Sequence, residues 1–162
     1  MLLGTGSGGT RSVTVSGRDD LPDGDYGFIE LYCNKSHRDC RRVVVVTLRP
    51  ETGWKRFWAT LNCGWESQEF YRRWAGAPDW DRSSWQGPFL DPLAAQTRYA
   101  PVLLNLFKSL LQSPDYLERL KSHYRLFRAA VEKESAGGDG HPRPAGGAEN
   151  GVGAMENVRL RA

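Results

Sequence analysis

Apolar and polar positions alternate through the first half of the chain in the way strands require. Tyr26–Cys33 (Tyr-Gly-Phe-Ile-Glu-Leu-Tyr-Cys) and Arg42–Leu48 (Arg-Val-Val-Val-Val-Thr-Leu) are rich in aromatic and β-branched residues. Arg49-Pro50-Glu51-Thr52-Gly53 supplies a turn. In the segment Trp54–Cys63 that follows, Phe57, Ala59, Leu61 and Cys63 fall on one face and Arg56, Trp58, Thr60 and Asn62 on the other. Links this short join antiparallel neighbours, because a parallel return needs a crossover of about a dozen residues. Ser12–Val15 adds an edge strand.

The second half carries helical spacing. Ser67 is placed to cap a helix with Glu69 in its first turn, Arg72 and Arg73 in its last, and Gly76 just beyond. Phe70 and Trp74 share its apolar face. Residues 77–96 hold Pro78, Gly87, Pro88 and Pro92 and predict a long ordered loop pinned by Trp80, Trp85 and Phe89. An apolar helix from about Arg98 to Gln112 turns Leu103, Leu106, Phe107 and Leu110 inward, with Pro101 in its first turn, where a missing N–H is tolerated. Ser113-Pro114-Asp115 opens a last helix. Its predicted inward stripe is Leu117, Leu120, Tyr124 and Phe127, with Arg119, Lys121, Arg125 and Arg128 toward solvent. The sum is an α+β fold: an antiparallel sheet of three or four strands followed by about three helices.

Glycine gathers at both ends of the 162-residue chain, and no aromatic residue follows Phe127. Residues 1–11 therefore read as a flexible N-terminus, 12–133 as one packed domain, and 134–162 as a disordered tail in which His141 is a solvated residue. The longest uncharged apolar run, beginning at Val43–Val46, is far too short to span a bilayer, and no secretory leader is visible at Met1-Leu2-Leu3-Gly4. The expectation is a soluble, cytoplasmic protein with no membrane partner. Three cysteines, an odd number, then point to reduced thiols. A formal charge of +3 permits contact with nucleic acid without requiring it.

The hairpin segment Cys33-Asn34-Lys35-Ser36-His37-Arg38-Asp39-Cys40-Arg41-Arg42 is the most specific local feature. Cys33 and Cys40 flank one strand connection with His37 between them, a donor set that suits zinc. A fourth ligand would come from Cys63, Asp39 or His123. The alternatives are two small buried hydrophobes beside an exposed His37, or a reactive thiol activated by Arg41 and Arg42.

Around this segment, Tyr-x-Gly-Phe, Leu-Tyr-Cys, Asp39-Cys40-Arg41-Arg42-Val43 and Ala59-Thr60-Leu61-Asn62-Cys63-Gly64-Trp65-Glu66-Ser67-Gln68-Glu69-Phe70-Tyr71 resemble an uncharacterised bacterial family whose members sometimes accompany SEC-C type metal-binding motifs. The resemblance continues through Leu90-Asp91-Pro92, Tyr99-Ala100-Pro101 and Leu120–Phe127 and so covers most of residues 26–130. It implies a fold, and a hairpin metal site, without an established activity. The family pattern has a further cysteine between the two at Cys33 and Cys40, where this chain has His37-Arg38.

All six tryptophans fall between Trp54 and Trp85. They predict a sheet–helix core or, if Trp58 faces solvent among Arg41, Arg42, Arg56 and Lys55, a stacking platform for single-stranded nucleic acid. Trp65 and Glu66 belong to the same candidate surface. For an enzyme, Glu66, Glu69 and Asp91 are the carboxylates nearest the aromatic segment, and Cys63 with His123 forms a nucleophile–base pair only if the fold brings them together. The leading expectation is a small binding or regulatory module with a zinc-type site at Cys33, His37 and Cys40. A nucleic-acid-binding protein stands second and a small hydrolase third. The sequence does not name a partner; a nucleic acid and a protein are the two candidates.

Overall fold

The structure, a computed structural model of the chain, describes residues 11–51, 56–75 and 85–137. Five strands and three helices follow in the order β1 (Arg11–Val15), β2 (Gly24–Leu31), β3 (Arg42–Leu48), β4 (Ala59–Gly64), α1 (Gln68–Ala75), β5 (Gly87–Leu90), α2 (Ala100–Leu111) and α3 (Pro114–Gly137). The strands form one antiparallel meander in sequence order, so every strand pairs with its neighbours in the chain. This is the α+β architecture read from the sequence, with one strand more.

Register decides which side of the sheet each residue faces. Glu30 pairs with Val45, Val45 with Leu61, and Leu61 with Leu90, so these four lie in one cross-strand row. Phe28, Val43, Val45, Leu61 and Cys63 pack with Leu103 and Phe107 of α2 and Tyr116 and Leu120 of α3 into one core. Phe28 and Phe107 stack at its centre, with ring centres 5.8 Å apart. Both expected helix starts of α1 and α2 are present. The Phe70 N–H donates to Ser67 Oγ at 3.2 Å, and Pro101 occupies the first turn of α2.

Four expectations change. β5 arises inside the stretch read as loop, because an edge strand tolerates Pro88 and Gly87 takes a φ of 77° that glycine allows. The alternation across β4 breaks at its start. Trp58, expected opposite Leu61, turns into the core against Tyr26 and Tyr99, while Phe57, expected inside, is exposed. The buried stripe of α3 runs through Tyr116, Leu120, Tyr124 and Arg128 rather than Leu117. α3 also continues to Gly137, beyond the expected boundary at 133. Trp54, Lys55, Gly76, Trp80, His141, the first ten residues and residues 138–162 lie outside the described residues. Among the described residues no helix is long and apolar enough to cross a membrane.

A candidate binding site beneath the last helix

Strand parity places Tyr26, Phe28, Glu30 and Tyr32 on the helix-facing side of β2 and its extension. Helical spacing places Tyr116, Arg119 and His123 on one face of α3 across two turns. The two sets meet around the Glu30 carboxylate, which is only 5% exposed. The Tyr32 hydroxyl donates to Glu30 Oε2 at 2.8 Å, and His123 Nδ1 lies 2.7 Å from the same oxygen. A carboxylate only accepts, so Nδ1 is a protonated ring nitrogen that donates to it.

The other carboxylate oxygen is not served. Arg119 Nη2 approaches Glu30 Oε1 to 3.9 Å, an ion pair beyond hydrogen-bond reach. Glu30 Oε1, Arg119 Nε, Arg119 Nη2 and the Tyr116 hydroxyl are all buried with no hydrogen-bond partner. Four such atoms from three neighbouring side chains stand out, because buried polar groups are nearly always paired. The Tyr116 ring has the guanidiniums of Arg11 and Arg119 each 5.9 Å from its centre. Burial first, and then the Glu30 charge, pushes the Tyr116 phenol well above the usual tyrosine range, so it stays protonated as a donor.

The residues singled out in the sequence occupy other places. In the 32–41 connection Cys40 is buried and Cys33, half-buried, lies beside it, while His37 is exposed. Among the described residues no group of three or more His, Cys, Asp or Glu could hold a metal, so His37 does not join the two thiols. The three residues offered as a fourth ligand are engaged elsewhere. Asp39 accepts from Tyr124 and Arg41, His123 is on Glu30, and Cys63 is in the core. This arrangement supplies two sulfur donors where a structural zinc site uses four ligands, and it does not fit one. The activated-thiol expectation is also corrected. Burial, with Cys33 adding to it, pushes the Cys40 thiol up to about 11, and Arg42 and Arg38 pull it down less. Cys63 is pushed up to about 12 by burial, which removes it as a nucleophile near neutral pH.

The Arg and Trp residues build a latch. Arg41, at a φ of 45°, donates to Asp39 at 2.8 Å and to Glu66 at 3.3 Å and lies over the Phe70 ring. Its own N–H donates to the Tyr124 hydroxyl and its carbonyl accepts from the Tyr71 hydroxyl. Trp65 packs edge-on against Tyr124, and Arg42 sits 4.2 Å over Trp85. Trp58 is buried, with Arg49 and Arg56 over its ring, so it offers no exposed stacking platform. Glu69 pairs with Arg72 and Arg73, and Asp91 accepts from Asn62 and from the Leu93 N–H. A surface cleft of about 440 Å³ lined by Arg18, Asp20, Leu21, Arg98 and Tyr99 is separate from the Glu30 cluster, and Arg18 is already bound to Asp20 there.

Arg128, expected in solvent, completes the latch by donating to the carbonyls of Lys35 and Ser36 at 2.7 Å each. Arg128→Met keeps the aliphatic stem and removes both bonds. The expected result is a loss of about 2 kcal/mol, the scale of charged hydrogen bonds in a part-buried setting. Hydrogen exchange should show faster exchange of the Arg38 amide, which bonds to Lys35 O, with the sheet amides slowed as before. Unchanged Arg38 protection would refute the latch.

The raised acids also set an alkaline limit. Cys40, Cys63 and Tyr71 are held near 11, 12 and 12 by burial, against reference values of 9.0 for cysteine and 10.0 for tyrosine. The unfolded chain therefore releases these protons first. Their contribution to stability is complete below about pH 9 and is lost as pH rises toward 11–12. Urea midpoints should hold level up to about pH 9 and then fall; a midpoint that rises over that interval contradicts the burial of these groups.

Of this cluster only His123 is marked as a candidate by the sequence; Glu30, Tyr116 and Arg119 fall in no motif. One signal for Glu30 was present: an acid at an inward position between Phe28 and Tyr32. The fold and site together define a five-stranded antiparallel meander with α2 and α3 on one face and a buried carboxylate–imidazole–guanidinium cluster beneath α3. No protein-family model matches the chain, and no curated protein or solved structure does.

Proposed function

We propose that the chain is a small binding module, and that it seats a small polar ligand at Glu30, Tyr116 and Arg119, with His123 at the rim. The observation that carries this reading is the set of four buried, unpartnered hydrogen-bonding atoms converging on one place. Leaving such groups unmatched costs about 1–3 kcal/mol each, more for charged ones, and a bound ligand recovers that cost. Tyr32 and His123 hold the carboxylate through its other oxygen, so the free oxygen is oriented before anything binds. Burial of Cys63 and the placement of Glu66 and Glu69 in ion pairs favour binding over hydrolysis.

The test is a nuclear magnetic resonance titration of the full chain with single-group probes: acetate, inorganic phosphate, methylammonium, acetamide and glycolate. At least one probe should shift the Arg119 Nε–H resonance and the Tyr116 ring resonances saturably, and in Arg119→Lys the Tyr116 response should disappear. If no probe moves these resonances, the seat is not a ligand site.

A further inference from the structure

We infer that the ligand of this seat is a short 2-hydroxycarboxylate, an inference that rests on the binding reading above. The two unpartnered nitrogens of Arg119, Nε and Nη2, lie on one edge of the guanidinium, and that edge presents two parallel N–H donors. A carboxylate matches such a fork with both oxygens, whereas a lone carbonyl or hydroxyl uses only one donor. Charge points the same way. The guanidiniums of Arg11 and Arg119 flank Tyr116 and favour an anion, and the buried Glu30 carboxylate beside them disfavours a dianion such as phosphate.

A carboxylate alone is insufficient. Glu30 Oε1 sits 3.9 Å from Arg119 Nη2 and also lacks a donor. A simple acid bound to the fork would leave that oxygen unsatisfied and would place two carboxylates close together. The ligand must therefore bring a hydrogen-bond donor next to its own carboxylate. A hydroxyl on the adjacent carbon reaches Oε1 while the carboxylate stays on Arg119, and it can also accept from the protonated Tyr116 hydroxyl. An ammonium in the same position would sit near the Arg11 and Arg119 guanidiniums and could not accept from the Tyr116 hydroxyl, so glycine should bind more weakly than glycolate.

The experiment compares glycolate, acetate, glycine and inorganic phosphate by the same Arg119 Nε–H titration. Glycolate should bind about tenfold more tightly than acetate, the effect of one added hydrogen bond worth about 1.4 kcal/mol. Tyr116→Phe should weaken glycolate severalfold and leave acetate unchanged, a pattern that a merely structural role would not produce. Glu30→Gln should narrow the glycolate advantage. Equal binding of glycolate and acetate, or tighter binding of glycine or phosphate, overturns the hydroxycarboxylate assignment and leaves the seat standing. No response to any of the four or to the wider probe set means that water alone occupies the cluster, and the seat reading falls with it.

Discussion

Phe107→Ala will lower the stability of the protein by about 4 kcal/mol, the largest effect of any single truncation considered. Phe107 is fully buried, stacked on Phe28 of the central sheet and edge-on to Tyr116 at 6.2 Å. Removing the ring leaves a cavity between α2 and β2 that neither rigid element can close, so the lost transfer free energy is joined by a cavity term. Urea unfolding checks it: the midpoint should fall with little change in slope, because the same surface is exposed on unfolding. A loss below about 1 kcal/mol would mean that α2 does not pack on the sheet as described. Tyr116 loses a supporting ring in the same variant, so the Arg119 Nε–H response to glycolate should weaken even where the protein remains folded.

Gly64→Ala follows, with an expected cost of about 3 kcal/mol. Gly64 closes β4, and a methyl group there would meet the backbone carbonyl oxygen of Trp85 and the hydroxyl of Tyr71, with the Tyr71 Cζ at 2.7 Å. Neither neighbour can yield freely. Tyr71 is fully buried and its hydroxyl donates to Arg41 O at 2.7 Å, while the Trp85 oxygen belongs to the backbone leading into β5. The glycine is required here by close approach rather than by its dihedral angles. Thermal unfolding should drop by roughly 10 °C. Tyr71→Phe in the same chain should recover little, since the Trp85 carbonyl remains in place. Full recovery would show that only the hydroxyl is in the way.

Much of the architecture was legible because it depends on local chemistry. Val43–Leu48 and Gly24–Leu31 pair because β-branched and aromatic runs joined by a short connection have few other ways to bury themselves. Ser67 and Pro101 mark helix starts through their own hydrogen-bonding and dihedral limits. The Cys-Arg-Arg and Gly-Trp-Glu-Ser segments were recognisable as special, but their use was not. The structure assigns Arg41, Trp65 and Glu66 to holding a loop against α3 and α1. Periodicity failed at Trp58 because that residue lies at a bend before β4 begins at Ala59, and at Arg128 because its side chain is long enough to reach back to the carbonyls of Lys35 and Ser36.

The amino-acid order by itself determined the first four strands, the three helices and the pairing of those strands as successive antiparallel neighbours. These follow from interactions within a few residues and from short connections. Only the tertiary structure decided what the chain can bind. Glu30 and His123 are 93 positions apart and meet because α3 lies across β2, a packing choice made by Phe28, Phe107, Tyr116 and Leu120 acting together. No window of sequence contains that contact. The same packing strips water from Glu30, Tyr116 and Arg119, and burial turns ordinary polar side chains into a set of unmet hydrogen bonds.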